Sequence, residues 1–201
     1  MRIVKLTQET EKNILENMLK RSPGQYGEYE SRVQEILARV KEQKDEAVFH
    51  YTKQFDRADI GPENVRVTDQ EIEEAYRQVD PELLQVMKKA LENIRSYHAL
   101  QKQNSWFEST EKGTMLGQKL TPLKTVGVYV PGGKAAYPSS VLMNIVPAKV
   151  AGVDRIIMCT PCNVRGQVNP IVLAAAKEAG ADEIYKVGGA QAIGAMAYGT
   201  E

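Results

Sequence analysis

The chain predicts an α/β fold: a mainly helical segment over residues 1–104, then parallel βα units over residues 105–201. Three observations carry that reading. The first part is highly charged, and its apolar residues recur at helical spacing. Beyond it, short β-branched runs alternate three times with longer apolar stretches. Each longer stretch ends near a glycine, at Gly152, Gly180 and Gly199, where a helix C-cap is expected.

The helical segment has its own punctuation. In "SRVQEILARVKEQKDEAVFHYTKQF", Val33, Ile36, Leu37 and Val40 share a face that resumes at Ala47, Val48 and Tyr51. This predicts a helix interrupted near Gln43–Asp45. In "VTDQEIEEAYRQV", Thr68 and Glu71 form a capping box ahead of the stripe Ile72, Ala75, Tyr76 and Val79. In "DPELLQVMKKALENIRSYHALQ", Asp80 is the N-cap and Pro81 the first helical residue. Leu84, Met87, Leu91, Ile94 and His98 line one side of that helix. A lone histidine ending an apolar stripe is more often a hydrogen-bonded packing residue than a ligand, and the same holds for His50 in its charged helix.

The stretch "WFESTEKGTMLGQKLTPL" predicts a hairpin turning near Lys112-Gly113. Strand Val126–Val130 then leads to helix Ser139–Ala151, strand Arg155–Cys159 to helix Asn169–Ala179, and strand Glu183–Lys186 to helix Ala190–Tyr198. Three consecutive βα units imply a parallel sheet with right-handed crossovers. Ligands bind such sheets at the carboxyl ends of the strands. The loops "PGGK" and "VGGAQ" both fall there.

Composition excludes several classes. Apolar residues make up 42% of 201, enough for a sizeable core. The 26 basic and 26 acidic residues cancel, which gives no support for nucleic-acid binding. No apolar run approaches a membrane span, and the start lacks the apolar segment of a secretory signal, so a cytoplasmic location is expected. Cys159 and Cys162 are spaced as C-x-x-C in "RIIMCTPC", as in a redox pair or half a zinc site. With no second cysteine pair and both histidines distant in sequence, they are read as strand-end and turn residues, reduced in the cytosol.

The glycine loops match neither familiar phosphate cradle. In "TVGVYVPGGKAAYPSS", Gly127 lies one residue too far from Gly133-Lys134 for a P-loop, and Ala135 replaces the hydroxyl that would hold magnesium. The dinucleotide fingerprint G-x-G-x-x-G follows none of the strands. Gly132 and Gly133 still let backbone approach a ligand closely, and the following helix start favours an anion; a plain structural turn is the alternative. In "KVGGAQAIGAMAYG", the Gln191 amide is placed either to donate to and accept from a ligand or to cap its own helix. Tyr129, near its strand's end, offers a ring to a base or sugar, or to the core.

Two stretches, "VGVYVPGGKAAYPSSVLMNIVPAKVAGV" and "EIYKVGGAQAIGAMAYGTE", closely resemble histidinol dehydrogenases, as do "DEAVFHYTKQFD" and "ENIRSYHALQ" upstream. The resemblance implies an incomplete Rossmann-like sheet and oxidation of L-histidinol to L-histidine in two NAD-dependent steps through an enzyme-held aldehyde. It implies a bound zinc ion and a homodimer. Tyr129 and Gln191 fall on NAD-contacting positions, and the Pro-Gly-Gly turn shapes the cofactor edge; no contact is carried over for Lys134. The family's zinc ligands, its Glu-His acid–base pair and an NAD-contacting asparagine lie C-terminal to these residues. No catalytic or metal-binding residue is therefore assigned within the chain. Cys162 stands where a second proline is expected. The resemblance thus describes an N-terminal portion, inactive alone. Two other readings stand beside it, a non-catalytic nucleotide-binding or interaction module and a C-x-x-C redox protein.

Overall fold

The computed structural model describes residues 5, 7–12, 27–132 and 136–200. Helix α1 (Gly27–Asp56) is two helical halves joined at Lys44, whose φ of 50° and ψ of −127° lie outside helical space. This is the interruption expected near Gln43–Asp45. Helix α2 (Asp69–Gln78) opens with the complete Thr68–Glu71 capping box. Helix α3 (Pro81–Ala99) opens with Asp80 accepting a hydrogen bond from Glu82 N–H at 2.8 Å. Strands β1 (Trp106–Ser109) and β2 (Met115–Gln118) pair as an antiparallel hairpin, with Gly113 in its turn at φ 76°.

Three βα units follow: β3 (Thr125–Tyr129), α4 (Pro138–Ala151), β4 (Arg155–Cys159), α5 (Pro170–Ala179), β5 (Glu183–Tyr185) and α6 (Gly189–Tyr198). The strands are parallel in the order β3-β4-β5. Gly152 and Gly180 close α4 and α5 in the left-handed conformation. Some element ends move from their expected places for local reasons. Pro138 and Pro170 start their helices because a first-turn proline needs no partner for its missing N–H. Asn169 is therefore the cap, accepting from Ile171 N–H, rather than the first helical residue. Lys186 leaves the parallel ladder because its N–H donates to Val65 O at 2.8 Å. Val67 N–H likewise donates to Ile184 O, so residues 65–67 screen the outer edge of β5.

Side-chain alternation gives the sheet two buried faces. Val126, Val128, Ile156, Met158 and Ile184 pack with α4 and α5, outside which lie Ala75 of α2 and Met87 and Leu91 of α3. Tyr129, Cys159 and Tyr185 face α1 and α6. The crossovers α4 and α5 share one face, whereas α6 turns to the other and runs back over β3. A side chain on Gly127 of β3 would stand 2.5 Å from Met196 Sδ, and one on Gly194 would meet Leu37 and Val40 of α1. The winding thus reverses at β3, and such a reversal is where α/β sheets form a ligand crevice.

Candidate functional site

At the carboxyl edge of the sheet, three strand-end turns converge on Pro161. A Cβ on Gly132, after β3, would stand 2.8 Å from Pro161 Cγ. A Cβ on Gly188, after β5, would stand 2.7 Å from Pro161 Cβ. Packing against this ring therefore accounts for both glycines. Gly189 is constrained differently: its φ is 63°, and a side chain there would meet Gln191 Oε1 at 2.5 Å. Gly133 and Lys134 lie outside the described residues.

Tyr129 and Gln191 meet around this turn. Tyr129 is half-buried at the end of β3, and its hydroxyl accepts the Gly189 N–H at 3.1 Å. That bond fixes the ring and occupies one first-turn donor of α6. Gln191 is completely buried, yet neither its Oε1 nor its Nε2 has a hydrogen-bond partner. It is not the cap of its own helix, because the N-cap of α6 is Gly188 and the Gln191 amide makes no hydrogen bond to that end. An unpaired buried amide costs on the order of 1–3 kcal/mol and is an anomaly that a ligand would resolve.

Asp56 ends α1 at the same place. Its Oδ2 is buried without a hydrogen-bond partner and lies 3.3 Å from where a Gly188 Cβ would stand. Burial raises its carboxyl above the ordinary carboxylate range. The sequence drew no attention to this aspartate, which lies 132 residues from its neighbour Gly188. Beyond Pro161, a cleft of about 610 Å³ opens between α2 and the loop after β4, lined by Glu71, Thr160, Cys162, Asn163 and Gln167. Lys186 is buried and pairs with Glu71 of that lining at 2.5 Å.

The cysteines hold no reactive thiolate. Burial pushes Cys159 up to about 12. Burial and the Asp56 carboxylate push Cys162 up as well, and both thiols are free. His98 Nδ1 lies 2.7 Å from Gln101 Oε1, and His50 is exposed beside Tyr51. Among the described residues, no three His, Cys, Asp or Glu side chains gather as a metal-binding set. These residues therefore do not fit zinc. They do fit a ligand rich in hydrogen-bonding groups, because the Gln191 amide and the Asp56 Oδ2 atom are buried at one edge without hydrogen-bond partners. No described helix is long and apolar enough to cross a membrane.

Fold and site together define a class: a doubly covered parallel α/β protein with a candidate ligand edge at the reversal of its winding. Residues 19–201 match the family described as histidinol dehydrogenase. The histidinol dehydrogenase of Heliobacterium mobile is 55% identical over 168 residues, covering 84% of this chain and 39% of that protein. That of Bacillus subtilis is 55% identical over 174 residues, covering 87% and 40%. A crystal structure of histidinol dehydrogenase from Elizabethkingia anophelis superposes with a TM-score of 0.79 at 40% identity, over 86% of this chain and 39% of that one. The chain belongs to the histidinol dehydrogenase family and corresponds to its N-terminal portion. It spans about two fifths of the length of these relatives.

Proposed function

We propose that the protein serves the NAD-dependent oxidation of L-histidinol to L-histidine, and that these residues form its cofactor-side scaffold. The observation that carries this is the fully buried, unpaired Gln191 amide beside the fixed Tyr129 hydroxyl, at the carboxyl edge of a sheet in a chain of this family. NAD, when bound, supplies the hydride acceptor. Tyr129 presents a ring whose rotation is restrained by the Gly189 N–H. Gln191 offers one amide donor pair and one acceptor. Removing hydride from an alcohol also needs a base for the hydroxyl proton, and none of the side chains around Pro161 is assigned that part. Zinc and the acid–base pair belong in this reading to the family's C-terminal portion.

The protein is further read as a cytoplasmic homodimer. The exposed apolar residues Trp106, Phe107, Met115 and Leu116 of the hairpin support a partner surface. The test is NADH absorbance on adding L-histidinol, NAD and zinc, with this chain run beside the full natural product of its gene. Turnover by the full product, with none from these 201 residues alone, is the expected result. Absence of turnover from both would overturn the reading in favour of a non-catalytic nucleotide-binding module.

A further inference from the structure

The first turn of α6 is a poor seat for a phosphate. Gly189 N–H is already given to the Tyr129 hydroxyl. The Asp56 carboxylate lies against Gly188, where it would repel an anion. The buried Lys186 is committed to Glu71 and offers no free charge. What the edge does hold is an acceptor without a donor: Asp56 Oδ2, buried and without a partner. Two residues past the Gly188-Gly189 pair, the Gln191 amide is equally unpaired and fully buried. Both observations call for a ligand group without negative charge that carries hydroxyl or amide hydrogens.

We infer that Asp56 is a binding residue of the cofactor edge, accepting hydrogen bonds from the vicinal hydroxyls of a ribose, and that the Gly188-Gly189 turn receives a nucleoside rather than the pyrophosphate. Dinucleotide sites often use an acidic residue in this way, about 20 residues past the glycine-rich turn of the same βαβ unit. Here the carboxylate comes instead from the end of an upstream helix. Its raised pKa agrees with a group that lacks a donor in the free protein. The inference rests on the NAD reading above.

Isothermal titration of the full natural gene product with NAD tests it, with Asp56→Asn as the variant. A charge-assisted hydrogen bond to a hydroxyl leads us to expect NAD binding about tenfold weaker in the variant. Asp56→Glu is expected to recover part of the loss. Competition by AMP and by nicotinamide mononucleotide identifies which ribose occupies the edge, as the mononucleotide whose affinity falls in the variant. Unchanged or tighter NAD binding by a folded Asp56→Asn protein overturns the inference and leaves the cofactor reading intact. No NAD binding by the unsubstituted protein overturns both. Should the variant fail to fold, the ligand side decides: 2′-deoxy forms of the same mononucleotides are expected to bind the unsubstituted protein about tenfold more weakly than the ribo forms, and equal binding overturns the inference.

Discussion

Pro161 shows how one side chain sets the chemistry of its neighbours. Its ring leaves no room for a Cβ on Gly132 or Gly188, so the glycines that suggested a ligand cradle are required by packing. Gly132→Ala should therefore lower stability by about 2 kcal/mol through overcrowding against Pro161 Cγ, measured by urea denaturation. In the Pro161→Ala background the same substitution should cost less than half as much, because the ring Cγ that it crowds is gone. Equal costs in both backgrounds would show that the Pro161 ring is not what makes a side chain at Gly132 costly. Gln191 carries the opposite lesson. Its amide is fully buried without a hydrogen-bond partner, and this is the observation on which the cofactor reading proposed above stands.

Among the elements, α1 bears visible strain. Lys44 adopts a positive φ that costs an L-residue about 1–2 kcal/mol and suits glycine. The turn is kept because it aims both halves of the helix at α6: Leu37 and Val40 before it meet Gly194, and Val48 after it joins the same core. On backbone terms alone, Lys44→Gly should stabilise the protein by about 1 kcal/mol after the entropy of the extra glycine is deducted, and the interactions of the lysine side chain subtract from that gain. The rise in Tm should be about 3 °C, checked by differential scanning calorimetry. A lower Tm would mean that the lysine side chain contributes more than its backbone costs.

Across the whole molecule, the helical layers and the sheet are stapled by Lys186 and Glu71. The Lys186 side chain is 7% exposed, while Glu71 also accepts from Thr68 N–H at 2.8 Å. Burial pushes the Glu71 carboxyl up, but the Lys186 and Thr68 hydrogen bonds and the Lys186 charge outweigh it and hold it below its ordinary value. Its folded-state pKa is thus lower than its unfolded one. The contribution is fully present above the ordinary value of 4.5 and is lost as pH falls through the lowered folded value. Glu71→Gln should cost about 2 kcal/mol at pH 7, since it leaves a buried ammonium without its counter-charge. Denaturation curves of the two proteins should converge as the pH is lowered through that window. A constant gap at all pH values would show that the charge pair contributes nothing.

The sequence by itself determined the elements and the family. Capping residues, first-turn prolines, C-cap glycines and apolar periodicity act within a few residues, so Thr68, Asp80, Pro170 and Gly180 announce their roles locally. The interruption of α1 was legible for the same reason, as a break in a periodic face. Tertiary structure alone decided which polar groups are left unpaired and which glycines are crowded. Asp56, Pro161 and Gly188 come from a helix end and two strand ends, brought together only when α1 and α6 cover one face of the sheet. Burial, hydrogen-bond satisfaction and close approach are properties of that three-dimensional neighbourhood. No spacing along the chain encodes them, which is why the resemblance singles out Tyr129 and Gln191 while nothing in the sequence draws attention to Asp56.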